Sequence, residues 1–357
     1  MDRNLLQKDK KILLISYSLS MTGAPIALLN MAIALKNFGY SPVILSNTDG
    51  DLRNVILDNN IAVVIEPQLE TNVSSFAWWV KKYDYVVINT ILYSNSIKYL
   101  KENRKEKIIW WIHESSEYYK NININLILSN IVVCGVGKIA SDNFYRAFNV
   151  QPYNLLYGVR NECLVQKKRY DDRIVFALIG KIGYRKGTDV FLDALEILPS
   201  HYRDNICFLV IGSKEEGNDE VYARLLRMAS FRPEIQVVGE FDRERLYGAF
   251  SGIDMLLLPS KEDPMPVVFA EAAINQIPSI ISTGCGTVEY LKNGVNSYIF
   301  EKNDFKQLAE KIIYAYEHRN NIKEMGKEVK VLFDKFFSMN VFESSLRKLL
   351  REVLWEE

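Results

Sequence analysis

Histidine is scarce in this sequence, at three in 357 residues, and cysteine little less so, at four. His113, His201 and His318 stand far apart, as do Cys134, Cys163, Cys207 and Cys285. No pair has the short spacing of metal ligands, which argues against structural zinc, and four scattered cysteines make no disulfide framework. Net charge is missing too: 44 Lys and Arg balance 44 Asp and Glu. Chains that bind nucleic acid carry a basic excess, so that class is disfavoured. Nor is there a long apolar run. The longest, residues 24–35, is broken by Asn30 and is too short to span a bilayer. The polar, charged start over residues 1–11 does not read as a signal peptide. The expectation is a reduced, cytoplasmic protein whose membrane contact, if it has any, is peripheral and at the inner face. The one hint of such contact is the first 150 residues, with 16 basic side chains against 13 acidic.

What is present is apolar sequence cut into short pieces. Hydrophobic residues make up 48% of the chain, enough for two domains with real cores. Residues 11–16, 42–45, 61–65, 85–88, 107–112 and 131–134 read as strands, with a helix over 24–38 and further helical stretches between the others. After a polar stretch at 160–173 the series restarts, with strands at 174–179, 207–211, 236–238, 255–258 and 279–282. Helices are expected at 189–198, 220–230, 243–250 and 267–275, and a largely helical tail from 305. Short, continuously apolar strands alternating with helices mean α/β architecture with parallel sheets covered on both faces. Two Rossmann-like parallel-sheet domains follow, over residues 1–165 and 166–335, with a C-terminal helix in 336–357 packing back on the first. Ligands of such folds bind in a cleft at the C-terminal ends of the strands.

The candidate chemistry gathers at those strand ends. In Asp263-Pro264-Met265-Pro266-Val267-Val268-Phe269-Ala270-Glu271, two acids bracket a loop that turns into a helix. Pro264 and Pro266 oppose helix upstream, and Pro266 suits the first helical position. The amides of Val267, Val268 and Phe269 then lack intrahelical acceptors and make a phosphate seat at the positive end of a helix dipole. Glu271, five residues beyond Pro266, falls about 7–8 Å along the axis, close to the span from a distal phosphate to a ribose. A second loop, Gly180-Lys181-Ile182-Gly183-Tyr184-Arg185-Lys186-Gly187, follows the first strand of the second half. Its cations suit a diphosphate. In the first half, Gly23 lies in a strand-to-helix loop, and His113 leaves the apolar strand Trp110-Trp111-Ile112 where a cleft should begin.

This combination resembles glycosyltransferase family 4, retaining nucleotide-sugar enzymes with the two-domain GT-B fold. The family has a Gly-Arg-x-x-x-x-Lys-Gly loop, then an acid, seven residues and a Glu. Here Lys181 stands in the Arg place, Lys186 in the Lys place, Asp263 in the place of the first Glu and Glu271 in that of the second. Glu262 competes with Asp263, one residue out of register. The resemblance implies that Glu271 binds ribose hydroxyls, Asp263 holds the donor sugar, and Lys181 and Lys186 neutralise the departing diphosphate. Met265 and Pro266 lead into the phosphate-binding amides of Val267 and Val268, and Gly239, before Glu240, borders the base. Gly23 and His113 approach the sugar when the cleft closes. No cofactor beyond a nucleoside-diphosphate sugar is implied. No metal is expected, since the two lysines fill the place of Mg²⁺. The acceptor is a glycan, a lipid-linked sugar or a protein, in bacterial surface polysaccharide or glycoconjugate synthesis.

Other segments read more plainly. Gly284-Cys285-Gly286-Thr287-Val288-Glu289 resembles the family's Gly-rich turn, but a tight turn explains it equally well. Gly135-Val136-Gly137-Lys138 mimics a dinucleotide fingerprint, yet closes its domain instead of opening it, which disfavours a nicotinamide oxidoreductase. Trp110 and Trp111 read as core, and Glu114 as a rim charge. Two alternatives stay open: a nucleotide-sugar epimerase of the same fold, and a non-catalytic subunit of a glycosyltransferase complex.

Overall fold

The computed structural model describes residues 11–100, 107–120, 122, 131–161, 164–166, 168 and 172–351. Cys163 and the basic residues Lys101, Arg104 and Lys105 lie outside them. The chain divides into two compact units, Met1–Gly158 with Met339–Glu357, and Val159–Ser338. The division falls at Gly158 and Val159, a few residues ahead of position 165.

Among the described residues, the first unit holds a seven-stranded parallel sheet. Its strands are β1 (Lys11–Ser18), β2 (Ser41–Thr48), β3 (Ala62–Ile65), β4 (Tyr85–Ile88), β5 (Lys107–Ile112), β6 (Ile131–Gly135) and β7 (Tyr153–Asn154), in the order β3-β2-β1-β4-β5-β6-β7. The second unit holds six parallel strands, β8 (Ile174–Ile179), β9 (Ile206–Ile211), β10 (Ile235–Gly239), β11 (Met255–Leu258), β12 (Ser279–Ser282) and β13 (Ser297–Phe300), in the order β10-β9-β8-β11-β12-β13. Most of these strands are buried on both faces because helices cover both sides, which is why they read as unbroken apolar runs. Two strands escaped that signal. β7 is two exposed residues, and β13 (Ser-Tyr-Ile-Phe) is half polar.

The strand order decides where a ligand site can form. In each sheet the chain runs outward from the first strand, then returns to pair on that strand's other side. β1 therefore touches both β2 and β4, and β8 touches both β9 and β11. At this reversal the connecting loops splay apart, leaving a crevice at the strand C-termini. β6 lies one strand from the edge, away from the reversal. Its Gly135-x-Gly137 turn, with Gly137 capping the helix Lys138–Phe148, thus has no dinucleotide crevice beside it.

Trp110 and Trp111 are fully buried in the first unit, and each indole N–H donates to a carbonyl, Thr90 O at 2.7 Å and Leu155 O at 2.9 Å. A buried indole needs such a partner. The helix Met339–Leu349 packs on Trp111 and Phe38: Phe342 stacks on Trp111 at 6.0 Å between ring centroids, and Arg347 lies 3.5 Å over the Phe38 ring. In the second unit the core is built on Phe176, Phe191 and Phe208 with Leu192, Leu195 and Ile280. Among the described residues no helix is long and apolar enough to cross a membrane.

Candidate active site

Because β8 and β11 are neighbours, the loops that follow them meet. Lys186 Nζ lies 2.5 Å from Asp263 Oδ2, a contact between residues 77 apart in sequence. Asp263 is only 6% exposed, so it is held rather than solvated. Gly187 makes this approach feasible. It takes φ +73°, and a Cβ there would overlap the Pro259 carbonyl oxygen. The turn after β12 frames Asp263 from the other side: the Asp263 amide donates to Gly284 O, and the Gly286 amide donates to Asp263 O, each at 2.9 Å. A side chain at Gly286 would overlap Pro264 O, so the glycine-rich turn is a clamp on the acidic loop. Cys285, inside that clamp, has its thiol pushed up to about 12 by burial and by the Asp263 charge, and it stays protonated and inert. Glu262 meets Arg185 Nη1 through its backbone carbonyl at 3.4 Å, and the carboxylate on Lys186 is that of Asp263.

The helix that follows is Val267–Ile274. Pro266 precedes it as the N-cap, with an extended backbone (φ −63°, ψ 115°), and does not take the first helical position. The Phe269 amide donates to Pro266 O at 3.1 Å, so it is not free for a ligand. That leaves the amides of Val267 and Val268, which have no acceptor one turn back. Met265, 6% exposed, anchors the turn into the core. Glu271 is the one charged residue in this apolar helix and is 4% exposed. Burial raises its carboxyl pKa, against the opposing pull of Arg243. Arg243 Nη2 lies 3.3 Å from Glu271 Oε1, across 28 residues of sequence.

Lys181 lies apart from the Lys186–Asp263 pair. Its Nζ donates to Ser213 Oγ at 2.5 Å and stands 3.6 Å from Glu240, beside Gly239 at the end of β10. The loops after β8, β9 and β10 are tied edge to edge, Gly180 N to Ile211 O at 2.9 Å and Gly212 N to Gly239 O at 2.8 Å. The second unit thus brings Lys181, Lys186, Gly239, Asp263 and Glu271 to one strand edge. It adds Arg243 and Ser213, which carried no sequence signal because their partners are set by strand order.

In the first unit, Gly23 opens the helix Gly23–Asn37 and His113 follows β5. Asn89, after β4, links them. Its Nδ2 donates to Ala24 O at 2.7 Å, which turns its Oδ1 toward His113 Nε2 at 2.8 Å. His113 therefore carries its proton on Nε2 and presents an unprotonated Nδ1. Burial lowers its pKa from 6.5 to about 3, so the ring is neutral and can accept a hydroxyl hydrogen bond but cannot neutralise a phosphate. The folded pKa lies below the unfolded one, so the group costs stability only as pH falls from 6.5 toward 3. We expect the imidazole NMR signal that vanishes in His113→Gln to stay at its neutral position from about pH 5 to 8; a midpoint inside that range would overturn this assignment. Glu114 is not a rim charge. It is half-buried, accepts from the Thr90 side chain and from the amides of Ile91 and His113, and its pKa is raised by burial. Asp49-Gly50-Asp51 spells an acidic Asp-x-Asp, but Asp49 accepts from Gly50 N and pairs with Arg53 at 2.7 Å. Among the described residues, no three metal-capable side chains cluster.

A family model described as "Glycosyl transferases group 1" matches residues 159–331, and one described as "Glycosyl-transferase family 4" matches residues 8–137. The chain belongs to glycosyltransferase family 4. Among its relatives, the capsular polysaccharide biosynthesis glycosyltransferase CapM of Staphylococcus aureus is 24% identical over 241 residues, 67% of this family member and 60% of CapM. A glycogen synthase of Thermodesulfovibrio yellowstonii is 24% identical over 183 residues, 51% of this chain and 36% of that protein. The matches thus reach at most 60% of the length of these two curated relatives. Among solved structures, Anabaena Alr3699/HepE in complex with UDP and glucose superposes with a TM-score of 0.83 at 15% identity, over 96% of this chain and 100% of that one. WaaG, a glycosyltransferase involved in lipopolysaccharide biosynthesis, gives 0.72 at 13% identity, over 94% and 98%. These likenesses are of fold, and the fold is GT-B.

Proposed function

We propose that this family member moves a sugar, with retention and without a metal ion, from a nucleoside-diphosphate sugar to an acceptor hydroxyl in surface polysaccharide or glycoconjugate synthesis at the cytoplasmic side of the membrane. The observation that carries the reading is the Lys186–Asp263 pair at the sheet reversal, set just before a helix whose one charge is the buried Glu271. A diphosphate along that helix start would meet the Val267 and Val268 amides and Lys186, with Lys181 beyond. The leaving group gains charge as the glycosidic bond breaks, and fixed cations act most where charge develops. Asp263 would hold a sugar hydroxyl, Glu271 the ribose, and Gly239 the border of the base. In the first unit, Gly23 and the neutral Nδ1 of His113 would position sugar or acceptor. The UDP and UDP-glucose complexes of Alr3699/HepE support a nucleotide-sugar donor, and the name of CapM supports the polysaccharide setting.

The test is incubation with UDP- and GDP-hexoses, with and without a glycan acceptor, following nucleoside diphosphate and product. We expect acceptor-stimulated release that EDTA leaves unchanged; loss in EDTA and recovery with Mg²⁺ would overturn metal independence. An epimerised sugar nucleotide formed without acceptor would replace this reading with the epimerase. Failure to bind either nucleotide would replace it with the non-catalytic subunit.

A further inference from the structure

Glu271 poses a physical problem. A carboxylate buried in an apolar helix would take up a proton unless a cation faces it, and a protonated acid accepts fewer hydrogen bonds from a diol. The structure meets this with two residues of the helix Arg243–Phe250. Arg243 is its first residue, and Asp242 caps the start by accepting from Arg245 N at 2.8 Å, so the root of the Arg243 side chain is fixed. Tyr247, one turn on, lies under the guanidinium with its ring centroid at 4.8 Å, and its hydroxyl accepts from Arg243 Nη2. The same nitrogen reaches Glu271 through Oε1 rather than Oε2. Both Arg243 and Tyr247 are half-buried, which strengthens the contact relative to a surface pair.

We propose that Arg243 and Tyr247 are positioning residues that hold Glu271 charged and turned so that Oε2 meets the ribose, a role that rests on the reading of Glu271 as the ribose contact. Arginine suits it because a planar guanidinium can lie over the Tyr247 ring while it donates to Glu271, a stacked geometry that the compact ammonium of a lysine does not reproduce. Among the described residues, the charge that acts on the Glu271 carboxyl is that of Arg243. Asn275 donates to its backbone carbonyl at 2.8 Å, and the packed helix Ile322–Phe336 brings Gly326 against Gln276.

Isothermal titration of the full chain with UDP, GDP and their 2′-deoxy forms tests the role. Wild type should prefer the ribonucleotide by about tenfold or more, the worth of a hydrogen bond to a charged group. R243Q and R243K should lose most of that preference, and Y247F part of it. R243Q should also lose affinity at a higher pH than wild type as pH falls, because removing the pull of Arg243 lets the buried Glu271 protonate sooner. A preference that survives in R243Q overturns the clamp alone. A wild type that binds a nucleoside diphosphate but ignores the 2′-hydroxyl overturns the ribose reading itself. Melting curves test the clamp without any ligand. R243Q should lose stability as pH rises, since its buried acid must ionise without a cation, and R243Q/E271Q should not. Parallel pH curves for the two variants would overturn the proposal.

Discussion

Glu271→Gln should weaken nucleoside-diphosphate binding by about 10- to 150-fold, the equivalent of one lost hydrogen bond between a charged acceptor and a hydroxyl. The substitution keeps shape and volume and removes only the charge and one acceptor. Arg243, left without its carboxylate, still donates to the Tyr247 hydroxyl and is not fully buried, so the fold should survive. Indeed a neutral amide in this apolar helix sheds a desolvation cost. The pH dependence has a definite sign. Burial raises the Glu271 pKa above its unfolded value of 4.5, so the native state binds a proton that the unfolded state has already released. Stability from this group therefore falls as pH rises through its folded pKa, and Glu271→Gln should flatten that fall. Titration calorimetry with UDP and GDP, beside melting curves across pH, separates the two effects. Unchanged affinity in a folded variant would remove Glu271 from the donor site.

Lys186→Ala should lower kcat by about 10²- to 10³-fold, the usual loss when one donor to a developing negative charge is removed. KM for the donor should move less, because the charge on the diphosphate grows toward the transition state and the cation matters most there. Part of the loss comes through Asp263. With 6% exposure and its cation gone, that acid becomes an uncompensated buried charge. Lys186→Arg restores charge in a different shape, so it should recover part of the rate if charge is the cause. Lys186→Met removes charge and keeps most of the volume, and it should resemble the alanine variant. Steady-state kinetics with these three variants decide the matter, and a methionine variant at wild-type rate would end the proposal for Lys186.

Much of the frame was legible in advance because burial on both faces writes parallel strands as apolar runs. Residues 85–88, 107–112, 174–179, 255–258 and 279–282 agree with strands of the structure to the residue. β7 and β13 were not legible, since short or half-polar edge strands carry little apolar signal. Pro266 was misplaced by one residue because proline's fixed φ suits a cap as well as a first turn, and only the ψ of 115° tells them apart. Glu114 looked like a surface charge because nothing in Ile-His-Glu-Ser says that the Thr90 hydroxyl and the amides of Ile91 and His113 will surround it.

By itself the sequence determined two sheet-building halves and the loops that carry the charged and glycine residues, because those features are local: hydrophobic periodicity, proline geometry and motif spacing act within a few residues. The tertiary structure alone decided which charges meet. Lys186 finds Asp263, Arg243 finds Glu271 and Asn89 finds both Ala24 and His113 because parallel strands must cross over helices and return beside the first strand. That return brings together side chains that no short-range pattern connects.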